Sequence, residues 1–217
     1  MKRREWFSRT GALALSTVAG FAGLLALGGC AGPTIDQYRA EKPVLDLREY
    51  FNGTLDAYGV FTDRSGQVVK RFTVLMTCTW VGDDGTLDEL FSYADGSTER
   101  RVWRLKRHAD GRYTGTAGDV LGEAQGQARG NAFRWGYTLK LPVGGDPSAA
   151  GPPQGASAPS GGSAVREAAS VGATVVEVQF DDWMYLMDPR VMLNKAVMTK
   201  WGVRLGEVTL SFVKRGV

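Results

Sequence analysis

The chain has 217 residues, with 26 lysines and arginines against 23 acids, a formal charge of +3, one histidine and two cysteines. The positive balance resides in the first residues: removing Lys2, Arg3, Arg4, Glu5 and Arg9 leaves 22 bases and 22 acids from Cys30 onward, which excludes a polyanion such as nucleic acid as the partner. His108 and Cys78 are the sole imidazole and the sole thiol beyond Cys30, too few for a zinc or other transition-metal site or for an intramolecular disulfide.

The basic n-region is followed by the uncharged apolar run Gly11 to Leu27 and then Leu27-Gly28-Gly29-Cys30. That tetrapeptide resembles the lipobox of bacterial lipoproteins, so residues 1 to 29 read as a cleaved signal peptide and Cys30 as a lipidated N-terminus. A retained membrane anchor is the competing reading, because the apolar run matches the shortest spanning helices of roughly 17 residues. Each acyl CH₂ buried in a bilayer contributes about 0.8 kcal/mol, so several chains on one cysteine hold a protein there almost permanently. Ala31 stands where Asp would resemble an inner-membrane retention signal, so an outer-membrane site facing the periplasm is expected in a Gram-negative host. Arg3-Arg4-Glu5-Trp6-Phe7 also resembles a weak twin-arginine signal, with an ordinary basic n-region the preferred reading.

Residues 30 to 43, with Pro33 and Pro43, read as a lipidated tether that spaces a single domain, residues 44 to 217, from the bilayer. From Leu45 onward short β-branched and aromatic runs alternate with turn signals: Asn52-Gly53, Asp63-Arg64-Ser65-Gly66, Asp83-Asp84-Gly85, Asp95-Gly96, Asp110-Gly111 and Gly130-Asn131. No helix-length segment intervenes, which argues for consecutive antiparallel strands. Period-two alternation places Phe72, Val74, Met76, Cys78 and Trp80 on one face of a strand. The same test groups Val176, Val178, Phe180, Asp182, Met184 and Leu186 against Glu177, Gln179, Asp181, Trp183 and Tyr185, and aligns Val208, Leu210 and Phe212. Gly122, Gly126 and Gly130 are expected on one face of a strand that bends sharply. Residues 144 to 172, rich in Gly, Pro, Ser and Ala, read as a disordered insert lengthening a hairpin tip. After Asp188-Pro189 a strand is favoured over a capped helix running to Trp201.

Tests for catalytic chemistry are negative. His108 lies in a charged turn, Cys78 reads as a buried core thiol, and there is no Gly-x-Ser-x-Gly elbow, P-loop or dinucleotide motif in strand-to-helix context. No metal, cofactor or enzymatic activity is therefore expected. Asp181 and Asp182 are neighbours on a strand and point to opposite faces, so Asp182 faces inward among apolar residues and needs a partner. Arg100, Arg101, Arg104 and Lys195 are the candidates for that role. A structural ion pair and a group orienting a ligand both fit an inward carboxylate. The segment Arg100 to Arg107 reads as a cationic sheet face.

Tyr50-Phe51-Asn52-Gly53, Gly59-Val60-Phe61-Thr62-Asp63-Arg64-Ser65-Gly66, Arg101-Val102-Trp103, Gly130-Asn131-Ala132 with Trp135 and Tyr137, Phe180-Asp181-Asp182-Trp183-Met184 and Gly206-Glu207-Val208-Thr209-Leu210 resemble the DUF3833 family of bacterial lipoproteins, a domain of unknown function. The insert departs from that pattern. The resemblance implies an exported lipoprotein with a lipocalin-like barrel, in a family whose genes neighbour lipid-modifying functions, and it carries over no catalytic residue. The expected architecture is mainly β: an antiparallel lipocalin- or calycin-like barrel or strongly curved sheet in one domain. Besides the bilayer reached through Cys30, the expected partner is a small apolar ligand, a fatty acid or membrane lipid, contacted by Asp182, Trp183, Tyr185, Arg101, Trp103, Trp135 and Tyr137. The alternative is a packed, ligand-free barrel meeting an envelope protein through outward Trp103, Trp183 and Tyr185.

Overall fold

The computed structural model describes residues 32–143 and 174–216. The expected signal peptide, Cys30 and the 144 to 172 insert lie outside the described residues. Within them the chain makes β1 (Gly53–Asp63), β2 (Val68–Val81), β3 (Asp84–Tyr93), β4 (Thr98–Arg107), β5 (Arg112–Thr116), β6 (Ala124–Arg129), β7 (Ala132–Val143), β8 (Thr174–Leu186), β9 (Val191–Lys200) and β10 (Val203–Lys214). Each strand pairs with the next, and β10 returns to β1 from Leu55↔Lys214 to Asp63↔Gly206, closing an antiparallel barrel. The segment after Asp188-Pro189 is the strand β9, and Asp188 Oδ1 accepts from Arg190 N (2.7 Å) and Val191 N (2.8 Å) in the turn before it.

Alternation along the strands sorts the side chains as the sequence indicates. Phe72, Val74, Met76 and Cys78 are buried while Arg71, Thr73, Leu75, Thr77 and Thr79 are exposed, and Trp80 is partly buried against the core. One end is closed by the segment before β1. Asp46 caps the single-turn helix α1 (Leu47–Tyr50), and Leu45, Leu47, Tyr50 and Phe51 are buried. Tyr50 Oη donates to Arg190 O and Phe212 O at 3.0 Å each, and Trp80 Nε1 donates to Phe51 O at 2.7 Å. These bonds pin the segment to the ends of β2 and β10 and to the β8–β9 turn.

Four turns follow Asx chemistry, with Asp63, Asp95, Asp110 and Asp188 each accepting the amide two residues on. Two expectations are corrected, and one turn carried no expectation. The β2–β3 turn is Gly82-Asp83, not Asp83-Asp84-Gly85, because Gly82 supplies the positive φ (61°) and Asp84 and Gly85 already belong to β3. The β9–β10 turn is Trp201-Gly202, with positive φ at both residues (51° and 78°), a conformation for which Trp gives no sequence signal. Of Gly122, Gly126 and Gly130, only Gly126 lies in a strand, and the others sit in the loops flanking β6.

The largest correction concerns the tether, which is not a free spacer. Ile35–Tyr38 form a 3₁₀ turn lying on the outside of β6 and β7. Tyr38 packs on Trp183 and Tyr185 (ring centroids 5.8 and 5.4 Å), its hydroxyl lies 3.3 Å from that of Tyr185, and Asp36 pairs with Arg129 at 3.3 Å. Gly130 is the close approach that permits this: its φ is 53°, a Cβ there would lie 1.8 Å from Tyr38 O, and Gly130 O accepts from Leu45 N at 2.8 Å. The folded unit therefore begins near Pro33. Gly130→Ala is expected to lift the 33 to 43 segment off the barrel. Limited proteolysis should then cut within that segment and leave the barrel intact, with a stability loss of about 1–3 kcal/mol.

Candidate functional site

Ten strands enclose more space than their inward side chains fill. The interior holds a cavity of about 110 Å³. By comparison, an engineered apolar cavity of about 150 Å³ admits benzene. Its walls are mostly apolar and aromatic, including Phe72, Met76 and Phe91, with Trp103 and Trp135 in edge contact at 5.7 Å. Tyr137 stacks on Phe180 at 5.0 Å and meets Trp103 edge-on at 5.4 Å.

Into this surface project Glu89 from β3, Arg101 from β4 and Asp182 from β8, each at most 9% exposed. The expected partner of Asp182 is an arginine or lysine, and the structure corrects this: Tyr137 Oη donates to Asp182 Oδ2 at 3.1 Å. Arg101 Nε and Nη2 donate instead to Asp119 Oδ2, at 3.1 and 2.7 Å, in an ion pair about nine-tenths buried on both sides. Arg100 pairs outward with Asp88, Lys195 with Glu207, and Arg104 is exposed. The cationic face expected over Arg100 to Arg107 is thus one of ion pairs, with Lys106 on Asp84 and Arg107 on Asp83 as well.

Two carboxyl groups remain. Asp182 Oδ1 is buried without a hydrogen-bond partner, and the buried Glu89 carboxyl has the attraction of Arg101 set against the charges of Asp119, Asp182 and Glu99. Burial pushes the Asp182 carboxyl up to about 7 against the opposing hydrogen bond from Tyr137, and pushes Glu89 up to about 7 against the attraction of Arg101. Burial and then the Asp182 charge raise the Tyr137 hydroxyl well above its ordinary value. Glu99 is satisfied by Tyr93 Oη at 2.8 Å.

Five of the expected ligand-contacting residues, Arg101, Trp103, Trp135, Tyr137 and Asp182, share the cavity wall. Trp183 and Tyr185 do not: they point outward, as their parity requires, and are covered by Tyr38. Trp103 points inward, so no outward cluster joins it to them. Glu89 was detectable by the test that found Asp182, since it alternates with Leu87, Phe91 and Tyr93 along β3. Asp119 comes from a loop, where no periodicity reports on direction. Cys78 is buried, and burial pushes its thiol up to about 12, while His108 meets Thr114 Oγ1 at 3.1 Å. Among the described residues no group of three or more His, Cys, Asp or Glu converges as metal ligands, and no helix is long and apolar enough to cross a membrane.

A carboxyl group raised in the folded state loses stability relative to the unfolded chain as pH rises from its unfolded value through about 7. Asp182→Asn and Glu89→Gln remove that loss. In ligand-free protein each is expected to raise the melting temperature by about 4 °C at about pH 8 and to change it little at about pH 4, as read by calorimetry.

A solved structure of an S-type phycobiliprotein lyase from Guillardia theta superposes with a TM-score of 0.51, covering 85% of this chain and 99% of that one at 8% identity. It shares the lipocalin-like barrel fold. Comparison with curated proteins returns no match. The model of a family described as a protein of unknown function, DUF3833, matches residues 24–149 and 166–214, leaving residues 1–23, the middle of the insert and the last three residues outside. The chain is a member of the DUF3833 family.

Proposed function

We propose that this protein is a lipoprotein held on the periplasmic face of the outer membrane through Cys30, and that its barrel binds or shuttles a small, mainly apolar ligand of the fatty acid or membrane-lipid class. The observation that carries the reading is the unfilled interior: a cavity of about 110 Å³ with aromatic walls and polar groups gathered on Asp182, Glu89, Arg101 and Tyr137. The barrel fold common to this chain and the phycobiliprotein lyase is of a kind that supports small-ligand binding in general. The space as it stands suits one ring or a short stretch of acyl chain, and a longer chain requires flexible wall residues such as Met76 and Met184 to move. Tether docking leaves only a few residues between Cys30 and the 3₁₀ turn at Ile35, so lipidation would keep the barrel close to the membrane.

The scaffold alternative lacks its two supports, since the interior is not filled and the aromatic face of Trp183 and Tyr185 is covered by the protein's own Tyr38. Proton-transfer catalysis on a bound ligand is a second reading. It has one observation in its favour, two carboxyl groups buried in the cavity wall, where burial pushes each up to about 7.

Native mass spectrometry with lipid extraction on the full chain, purified without denaturation, tests the reading. The expected result is a stoichiometric small apolar molecule, chemically unchanged on incubation. Ala196→Phe, which fills the cavity from β9, should lose that molecule and still melt cooperatively, at a packing cost of about 1–3 kcal/mol. Ligand-free wild-type protein whose melting temperature ignores added lipids would reject cavity binding, and ligand conversion abolished by Asp182→Asn would favour catalysis.

A further inference from the structure

The chemistry left unsatisfied in the cavity indicates which end group its ligand carries, an inference that rests on the cavity-binding reading above. The wall contains two carboxyl groups, Glu89 and Asp182, and one cation, Arg101. That cation is already neutralised by Asp119, to which it donates from Nε and Nη2. Tyr137 donates to Asp182 Oδ2, Tyr93 donates to Glu99, and Asn194 Nδ2 donates to Trp183 O at 3.3 Å. These donors have protein acceptors, whereas Asp182 Oδ1 is buried with no hydrogen-bond partner and the buried Glu89 carboxyl has the attraction of Arg101 set against the charges of Asp119, Asp182 and Glu99.

We propose that this part of the cavity receives the N–H groups of an organic ammonium, a primary amine on a short apolar body, and disfavours a carboxylate. A carboxylate head would bring a third negative charge and more acceptors to a place that lacks donors. An ammonium supplies three N–H donors and a positive charge facing Glu89 and Asp182. The rings of Trp103, Trp135 and Tyr137 line the same space and suit an organic cation through their negative faces. A quaternary ammonium has no N–H and leaves the same oxygens unpartnered. The proposal keeps the apolar body of the ligand and replaces a fatty acid's carboxylate head with an amine.

Binding is pH-dependent with a defined sign. The ionisable groups around the head are Glu89 and Tyr93 on β3, Glu99 and Arg101 on β4, Asp119 in the β5–β6 loop, Tyr137 on β7 and Asp182 on β8, with Asp181 on the outer face of β8 adding its charge at longer range. Of these, Glu89 and Asp182 titrate near 7, so an ammonium that needs an ionised carboxylate binds more weakly as pH falls below 7. The weakening approaches tenfold per pH unit when one proton must leave.

The test compares hexylamine, hexanoate and hexanol by calorimetric titration of the full chain in lipid nanodiscs, with empty nanodiscs as reference. At about pH 7.5 hexylamine should bind at least tenfold more tightly than hexanoate, and lose most of that advantage at about pH 5.5. Asp182→Asn and Glu89→Gln should each weaken hexylamine at least tenfold and leave hexanol within about threefold, which also shows that the variants are folded. Hexanoate binding as tightly as hexylamine, or hexylamine unaffected by both substitutions, would overturn the amine proposal. Hexanol binding without hexylamine would overturn it while leaving cavity binding intact. Failure of all three to bind, with Ala196→Phe indistinguishable from wild type, would overturn both.

Discussion

Closure of the sheet between β1 and β10 is the constraint on which the rest depends. An open sheet of this length would expose its first and last strands to other chains, and closure removes both edges. It also divides every strand into an inside and an outside with a period of two. A barrel of ten strands is wider than its own side chains need, so closure brings with it an interior that is partly empty. The segment carrying α1 closes one end, held by Tyr50 and Trp80, and turns that emptiness into a bounded site.

Burying charge in such a space is expensive, and the protein meets that cost unevenly. Arg101 and Asp119 form a nearly neutral, hydrogen-bonded unit, the arrangement in which a buried pair costs least. Asp182 has half of what it needs from Tyr137, and Glu89 has only the field of Arg101. Two apolar residues in those positions would pack without penalty, so the carboxyl groups are a sacrifice of stability concentrated in one cavity. Sacrifices of that kind gather at functional sites, which is why the site is placed here and not at Cys78 or His108.

Much of this was legible in the sequence because alternation is a local property. The runs around Phe72, Val178 and Val208 and the turn residues Asp63, Asp95 and Asp110 identify antiparallel strands, and the parity of β8 alone separates Asp182 from Asp181. What alternation cannot report is who stands across the barrel. The pairing of Arg101 with Asp119 and the meeting of Tyr137 with Asp182 depend on closure and on a loop. Docking of Tyr38 on Trp183 was hidden because the segment around it is polar and carries Pro33 and Pro43, the marks of a spacer, while its anchoring depends on the missing side chain of Gly130. Trp201 at a positive φ is another departure, since the hairpin pairing of β9 with β10 imposes a turn that its residue does not favour.

The covered outer face and the hollow inner one assign the aromatic residues different tasks. Tyr38, Trp183 and Tyr185 fix the start of the chain to the wall, whereas Trp103, Trp135 and Tyr137 shape the space within. The central claim is that Glu89 and Asp182 are held in that space without adequate partners, and a carbon-detected NMR titration of their side-chain carboxyls in ligand-free protein tests it most directly. The account predicts that the pair titrates with apparent midpoints near 7. Midpoints near the ordinary 4.5 and 3.8 would mean that water or other groups already satisfy both carboxylates, and would contradict it.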